Sequence, residues 1–587
     1  MFIKAPTGIL SLLAIFFCLA ASAQADSYTF FHQTQYPLTV HFIQGRKSGP
    51  TVMVQGGIQG DESCGYITAQ LLSMAQVHSG NLLVVPRANR PSIQLRQRAV
   101  NVDLNRRFDQ DYDKFYEDNL ARVIRFLVDR SDGLIHLHEG SGFYSPVYVD
   151  DLRNPSRFGQ SLIIDTENYD NHLFLAEMAK DILSVINQGI TSKEFRFELF
   201  NTNTLDNTTA HPEQRKSLTY YALTSKGIPA VAVEVSKDIK DTAWKVRRQL
   251  QLTCLLLRKL GVDVTPPEPT DHEIATYTDA DGVEMIMQVG GQSLNCRDRA
   301  QLNPATPLQL SVESITGLNP MFNPALAVFA SDRPGVDLLK TPRFPLHTFP
   351  ELDIYADGNQ LAKVTLDWQV HNGPTKAPLT EQVKFIVNIN NQIKIVPANE
   401  TIATLEGDQL ILEGVLGSDK EEILNLKGYM TNPAANNGQD AGVEIILKHG
   451  AMMDRYISKG NEGDWTASVL RETPGGVAEK FFIHVSPRKI IALNLKHREG
   501  SRVSTFYLPW ESGRLAALPP GEYFLESVEG NGPNDKVIIT AGEAPLPAAR
   551  IMDLKPGRSV FVTLRQATTF APLGNMLFVS PYLPEEL

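Results

Sequence analysis

The chain has 587 residues, 42% of them hydrophobic, and a formal net charge of -11. This length is too great for one hydrophobic core and predicts several domains. Its hydrophobic content is ordinary for globular proteins, so sizeable cores can form. The acidic balance argues against a nucleic-acid-binding protein, which would present a basic face.

The first residues have the pattern of an export signal. Lys4 precedes an apolar run over residues 8–20, and the small-residue segment ASAQA follows. The run is too short for a comfortable membrane span, so we expect a cleaved signal peptide over residues 1–25 and no transmembrane segment in the mature chain. The alternative is an uncleaved N-terminal anchor. Cys18 is not expected to be lipidated, because Phe16 and Phe17 precede it.

Cysteine usage predicts little covalent cross-linking. Removal of the signal leaves Cys64, Cys254 and Cys296, an odd number that allows at most one internal disulfide. Cys254 lies in the apolar helical pattern QLTCLLLRKL and is predicted to be a buried thiol.

Strand and helix patterns alternate between residues 27 and 263. The predicted strands are TVMVQGG, NLLVVP, GLIHLHE, FRFELF and PAVAVEVS, and the predicted helices between them include YDKFYEDNLARVIRFLVDR and FLAEMAKDILSVINQ. Such alternation predicts an α/β domain with a mostly parallel sheet and helices on both faces. Ligands of such sheets bind beyond the carboxyl ends of the strands.

The pattern changes at the proline-rich segment TPPEPT, residues 265–270. Short alternating segments such as KVTLDWQV, KFIVNI and KIIALNL follow, separated by Gly, Asn, Asp and Pro turns. This composition predicts all-β domains, either barrels or sandwiches. We expect divisions at 264–345, 346–440 and 441–587, with an Ig-like sandwich last.

Four polar motifs follow strands of the predicted α/β domain. They are Gln59 and Glu62 in GGIQGDE, Arg96, Arg98, Asn105 and Arg106 in RQRAVNVDLNRRF, His136 and His138 in IHLHEGSG, and Glu234 in VAVEVS. Each has an ordinary structural explanation. Gln59 and Glu62 could cap a helix, the arginines could be solvated, the histidines could be satisfied polar groups and Glu234 could form a salt bridge. Their shared position beyond strand ends favours a functional site.

The four motifs together resemble the funnelin-type zinc carboxypeptidases and the related succinylglutamate desuccinylase and aspartoacylase group, over about residues 30–262. Those proteins carry H-x-x-E, an asparagine–arginine pair, a single zinc histidine and a late catalytic glutamate. Gln59 stands where the first zinc histidine is expected, and an amide oxygen is a weaker zinc ligand than imidazole. The chain is most similar to the periplasmic peptidoglycan carboxypeptidases that control helical cell shape, which share this Q-x-x-E variation, the segment HLHEGSGFY and trailing β domains.

The resemblance implies one zinc ion per chain, held by Gln59, Glu62 and His138. Glu234 would be the general base, and Arg98, or alternatively Arg96, would stabilise the oxyanion. The implied substrate is the peptidoglycan tripeptide L-Ala-γ-D-Glu-meso-diaminopimelate, from which the last residue is released in the periplasm. Asn105 and Arg106 would bind its terminal carboxylate, His136 would orient a ligand or a substrate group, and the further polar candidates are Arg87, Arg90, Ser141, Arg215 and Tyr220.

Two other functions remain open from the sequence. The first is a deacylase-like amide hydrolase acting on an exported small substrate, because the same zinc core serves both reactions. The second is a catalytically inactive scaffold that binds the cell wall through its β domains. The implied partners are peptidoglycan muropeptides rather than nucleic acid, and the sequence does not identify protein partners.

Overall fold

The computed structural model describes residues 25–302, 308–340, 349–369, 383–417, 423–429 and 438–581. The predicted signal peptide lies almost entirely outside these residues. Among the residues described, no helix is both long and apolar enough to cross a membrane. Cys64, Cys254 and Cys296 are free thiols, and Cys254 is half-buried rather than fully buried.

Strands and α-helices alternate over residues 25–275, all of which the structure describes. The strands are β1 (Ala25–Phe30), β2 (Leu38–Gln44), β3 (Lys47–Gln55), β4 (Gln76–Val85), β5 (Gly133–Gly140), β6 (Phe143–Tyr144), β7 (Arg153–Asn154), β8 (Ser161–Ile164), β9 (Glu198–Asn201), β10 (Ala230–Ser236) and β11 (Asp263–Thr265). The helices are α1 (Ser63–Leu72), α2 (Arg90–Leu95), α3 (Tyr116–Val128), α4 (Leu175–Ile186), α5 (Leu218–Lys226), α6 (Thr242–Lys259) and α7 (Asp271–Ala275).

Nine of these strands form one mixed sheet in the order β1-β2-β4-β3-β5-β10-β8-β9, with β11 pairing on β4. The central strands β4, β3, β5 and β10 are parallel, as their continuous apolar sequences predict, and β8 is antiparallel to β10. One apolar face packs against α1, α4 and α6, and the other packs against α3 and α5. The predicted α/β domain is confirmed, although β1, β2, β8 and β11 were not predicted from the sequence.

The rest of the chain is built from strands. They are β12 (Glu284–Val289), β13 (Gln292–Asn295), β14 (Arg299–Leu302), β15 (Leu310–Thr316), β16 (Leu326–Ala330), β17 (Glu351–Ala356), β18 (Asn359–Trp368), β19 (Lys384–Ile389), β20 (Gln392–Pro397), β21 (Thr401–Leu405), β22 (Gln409–Leu416), β23 (Ile423–Leu426), β24 (Glu444–Ile446), β25 (Ser458–Lys459), β26 (Trp465–Thr473), β27 (Gly476–Ser486), β28 (Ile490–Glu499), β29 (Arg502–Pro509), β30 (Leu515–Ala517), β31 (Gly521–Gly530), β32 (Val537–Ala541), β33 (Arg550–Leu554), β34 (Ser559–Gln566) and β35 (Pro572–Val579). They form open sheets, and none closes into a barrel within the described residues.

Three hydrophobic cores organise these sheets, and each core takes side chains from two of them. The cores span residues 283–366, 385–485 and 493–578. Strand pairing crosses the divisions expected near residues 345 and 440, since β16 pairs with β17 and β23 pairs with β26. The turn pattern marks where strands end but carries no information on which strands pair, so the cores were not predictable from it.

The α/β unit is joined to the β units by buried polar contacts. Arg87 donates to both carboxylate oxygens of Asp357 at 2.7 and 2.6 Å, and also to the carbonyl of Phe322 at 3.0 Å. At the far end of the chain, Phe570 packs edge-on against Phe30 and Phe126, with ring centroids 5.3 and 5.1 Å away. The first and last parts of the chain therefore share one hydrophobic core.

Replacement of Arg87 by alanine should destabilise the protein by about 3–5 kcal/mol, because it leaves the carboxylate of Asp357 buried and unpaired. The free energy of unfolding in urea measures this. The matched control is Arg258→Ala, which removes an exposed pair with Asp263 and should cost at most about 1 kcal/mol. Equal effects of the two changes would contradict the structural role of Arg87.

Candidate active site

The loop between β3 and α1 places Gln59 and Glu62 at the carboxyl end of the sheet. Gly57 has a φ of +64°, which favours glycine, and a Cβ on Gly60 would lie 2.0 Å from the backbone of Ser92. Glu62 is the N-cap residue of α1, but no side-chain cap hydrogen bond forms there. Helix capping therefore does not explain the spacing of Gln59 and Glu62.

The carboxylate of Glu62 instead meets the end of β5. Its Oε2 lies 2.8 Å from Nδ1 of His138 and accepts from the backbone N–H of Glu139 at 3.2 Å. His136 lies two residues earlier on the same face, with its Nδ1 3.1 Å from Nε2 of His138. In the parallel pairing of β10 with β5, Glu234 is directly beside His138. Three of the four sequence motifs thus meet at neighbouring strand ends.

The remaining motif, RQRAVNVDLNRRF, holds Gln59 in place through Asp103. Asp103 was not among the residues predicted from the sequence. The Gln59 amide donates from Nε2 to both oxygens of Asp103 at 3.1 and 3.3 Å. Arg98 donates to the same carboxylate at 2.8 Å, and lies 3.8 Å from Oε1 of Glu62. Because Asp103 occupies the amide nitrogen, the amide oxygen of Gln59 is the atom that remains free to face a cation.

Burial controls the protonation of this cluster. It raises the pKa of Glu62 to about 8. It also holds the pKa of Glu234 well above its usual range, and the nearby charge of Glu62 raises the pKa of Glu234 further. It lowers the pKa of His138 to about 3 and that of His136 well below its ordinary value. All four shifts favour neutral forms in the absence of a cation. A bound cation would favour the ionised forms of the two carboxylates and offset the cost of burying their charge.

The donor chemistry fits zinc. An amide oxygen, a carboxylate and an imidazole are available from Gln59, Glu62 and His138, which leaves a fourth position for a reacting group. Within the described residues, no group of three or more His, Cys, Asp or Glu side chains is arranged to hold a metal ion. The donor set of Gln59, Glu62 and His138 contains only two residues of those types, because its third donor is an amide.

A cavity of about 350 Å³ opens at this cluster. Among the predicted residues it is lined by Gln59, Glu62, Arg98, Asn105, Arg106, His136, His138, Ser141 and Glu234. Asn105 is buried and accepts from the backbone N–H of Leu218 at the start of α5. The buried Oε2 of Glu234 has no hydrogen-bond partner among the described residues, which leaves it available to a substrate or to water.

Four predicted substrate residues, and Arg96 as the alternative oxyanion residue, do not line this cavity. Arg87 is paired with Asp357, Arg90 with Asp337, and Arg96 donates to Asn359, so all three face the β units. The Arg215 guanidinium donates to the carbonyls of Thr204 and Asp206, and neither Arg215 nor Tyr220 lines the cavity. Sequence proximity to the motifs could not distinguish these side chains from those that turn inward.

Other lining residues were missed from the sequence. They are Glu139, Gly140, Phe158, Ile163, Asp165, Thr202, Gln214, Thr219, Ala232 and Lys237. Glu139 accepts from the backbone N–H of Cys64 at 3.1 Å and from Lys245 at 3.2 Å, so it serves as a cap for α1 supplied from β5. Glu139 follows His138 directly, and Lys237 follows the last residue of β10. Both could have been predicted from these positions in the sequence.

Residues 22–268 match the family model described as the catalytic domain of the carboxypeptidase controlling helical cell shape. The match covers less than half of the chain, and over these residues the chain is similar to that family. The resemblance predicted from the motifs is thereby confirmed. The matched region covers the whole nine-stranded sheet and ends in the proline-rich segment.

Other similarities are more partial. An N-alpha-acetyl-L-2,4-diaminobutyric acid deacetylase from Halomonas elongata is 35% identical over 102 residues, which are 16% of this chain and 30% of the deacetylase. The chain therefore spans less than a third of the length of that relative.

Among solved structures, the apo form of the cell shape determinant protein Csd4 from Helicobacter pylori aligns with a TM-score of 0.44 and 20% identity over 76% of this chain and 100% of the other. The tripeptide-bound form of Csd4 gives the same values. A succinylglutamate desuccinylase/aspartoacylase from Rhodobacter sphaeroides aligns with a TM-score of 0.27 and 17% identity, over 42% of this chain and 71% of the other.

Proposed function

We propose that the protein is a zinc-dependent D,L-carboxypeptidase of the periplasm that releases meso-diaminopimelate from the tripeptide stem of peptidoglycan. The observation that carries this proposal is the meeting of Gln59, Glu62, His138 and Glu234 in one cavity of a domain that matches a carboxypeptidase family. The proposed ligand class is the one present in two solved Csd4 structures, of which one contains a tripeptide and the other diaminopimelate.

The site residues divide the chemistry among them. Gln59, Glu62 and His138 would hold the ion, which when bound polarises a carbonyl and makes water a stronger nucleophile. Glu234 accepts a proton from the attacking water at its free Oε2 and passes it to the leaving amine. Arg98 supplies positive charge for the developing oxyanion, and Asn105 with Arg106 binds the terminal carboxylate. Binding of that carboxylate would restrict cleavage to the last residue.

Incubation of the zinc-loaded protein with purified muropeptides tests the proposal. Tripeptide stems should lose their last residue and leave L-Ala-γ-D-Glu on the sugar, as measured by mass spectrometry. Tetrapeptide and pentapeptide stems in the same assay would show whether the stem length matters. A tripeptide that stays intact with zinc bound would reject the assigned substrate.

A deacylase activity is the second candidate, and the match to the Halomonas deacetylase favours it over a metal-free scaffold. Incubation with N-acetylated diamino acids separates it from the first candidate, since a deacylase releases acetate from them and leaves the tripeptide intact. Metal analysis of the purified protein separates both enzymes from a scaffold. A zinc-free chain that keeps its biological effect would support the scaffold.

Replacement of Gln59 by histidine should raise the affinity for zinc by about tenfold, or about 1.4 kcal/mol, because imidazole is the stronger ligand. Competition with a chelator of known affinity measures this. The exposed residue Gln251 is the control position, where the same change should leave the affinity as it is. An unchanged or lower affinity of Gln59→His would show that Gln59 is not a ligand.

A further inference from the structure

Asp165 is a buried carboxylate in the cavity that the catalytic roles above do not use. It follows the last residue of β8, lines the cavity and is 3% exposed. Its neighbours in the cavity lining include Thr202, Thr219, Ile163 and Ala232. A carboxylate in such a position needs a reason, because burying a charge without a partner costs several kcal/mol.

The strand register places Asp165 several positions along the chain from the residue that pairs with Glu234. Ser161 of β8 pairs with Glu234, and Ile163 pairs with Ala232, so the antiparallel β8 runs away from the catalytic end of β10. Asp165 comes four positions after Ser161, which corresponds to about 13 Å of extended chain. Ala232 is the small residue beside this path, where a larger side chain would fill the space.

The surroundings of Asp165 are hydroxyls rather than cations. Thr202 and Thr204 lie beside it with their Oγ1 atoms 2.7 Å apart, and Thr219 faces it from α5. Burial raises the pKa of Asp165, and hydrogen bonds from the three threonines oppose this rise only in part. The cavity's cations Arg98, Arg106 and Lys237 do not contribute to this shift, and two of them have carboxylate partners, Asp103 for Arg98 and Asp61 for Lys237.

We propose that Asp165 forms the floor of a subsite that binds a primary ammonium at the end of the side chain of the leaving amino acid. Both Glu234 and Asp165 line the cavity of about 350 Å³, and a side chain as long as that of lysine or diaminopimelate would extend from one towards the other. The threonine hydroxyls keep the carboxylate oriented. The inference rests on the proposed function for the identity of the leaving residue. It assigns Asp165 as a residue that determines specificity, with no part in the chemical step.

Two tripeptides that differ only in the charge of the last side chain test this subsite. L-Ala-γ-D-Glu-L-Lys carries the ammonium, and L-Ala-γ-D-Glu-L-norleucine has the same chain length without it. The zinc-loaded protein should prefer the lysine peptide in kcat/KM by about ten- to a hundredfold, the effect expected for a hydrogen bond to a charged group. In Asp165→Asn this ratio should fall to near one through a higher KM, while the norleucine peptide is cleaved as before.

Two further variants separate binding from structure. Glu198→Gln removes one negative charge at an exposed position of the neighbouring β9 and should keep the lysine preference. Asp165→Glu moves the carboxylate outward by one carbon, and should shift the preference from lysine to the shorter ornithine. A lysine-to-norleucine ratio that Asp165→Asn leaves unchanged would overturn the proposal.

Failure of the proposed function has a different signature. If the wild-type protein cleaves neither peptide, the assigned reaction is rejected, and calorimetry with free lysine and free norleucine still reports on the subsite. Binding of lysine that is stronger than binding of norleucine, and that Asp165→Asn abolishes, would support the subsite. Equal binding of the two amino acids, or no binding of either, would reject it.

Discussion

Replacement of Glu234 by glutamine should reduce kcat by about 10²- to 10⁴-fold, the contribution typical of a general base. The amide has nearly the same shape but cannot take a proton from water. Zinc content and folding should stay normal, because Glu234 is outside the proposed ligand set and its Oε2 has no hydrogen-bond partner among the described residues. Steady-state kinetics with the tripeptide, together with metal analysis, measures both effects. The control Glu177→Gln changes an exposed carboxylate on α4 and should leave kcat as it is.

The raised pKa of Glu234 also predicts how the Glu234→Gln variant differs from the wild type in stability. Between the pKa of the unfolded chain and the higher pKa of the folded protein, the folded state binds more protons, so stability falls as pH rises. Glutamine removes this dependence, so zinc-free Glu234→Gln should be more stable at neutral pH than the zinc-free wild type. Thermal unfolding at several pH values tests this. A variant that loses both activity and stability would indicate a structural role instead.

Replacement of His138 by alanine should abolish zinc binding and activity together. The loss of an outer partner of a zinc ligand alone costs about 10- to 100-fold in affinity, and the loss of a ligand should cost more. Zinc at 100 times its dissociation constant should stabilise the wild type by about 2.7 kcal/mol, and this stabilisation should vanish in His138→Ala. Unfolding with and without zinc, followed by metal analysis, measures this change without reference to activity.

His172→Ala provides the matched control for this experiment, because His172 is exposed and distant in sequence from the motifs. It should keep the zinc-dependent stabilisation. If His138→Ala is still stabilised by zinc to the wild-type extent, the ion binds elsewhere and the assigned ligands are wrong.

The parts of the site that the sequence predicted are those whose position follows from strand geometry. His136 and His138 are two residues apart on β5, and Glu234 interrupts the apolar pattern of β10, so both strands present polar groups at the same edge of the sheet. Gln59 and Glu62 were likewise predicted from a local feature, which is their three-residue spacing just before α1. Local periodicity is sufficient for such residues, because the backbone alone determines where they lie.

The missed residues depend on contacts between distant segments. Asp103 acts through Gln59, and Asp165 reaches the cavity only because β8 is antiparallel to β10, a pairing that the sequence does not specify. Arg87 is the opposite case, because it was predicted to bind substrate but pairs with Asp357, which lies 270 residues away in a β unit. An arginine near a motif has no sequence feature that shows which way its long side chain turns.

The packing of Phe570 against Phe30 and Phe126 has a consequence for how the protein matures. The aromatic surface of β1 and α3 is covered by a residue that lies more than 400 positions later in the sequence. A chain shortened after the carboxypeptidase domain would leave this surface in water, where it would promote aggregation. During synthesis the α/β unit would reach its final packing only after the segment that carries Phe570 has been made, so its folding depends on residues far beyond it in the sequence.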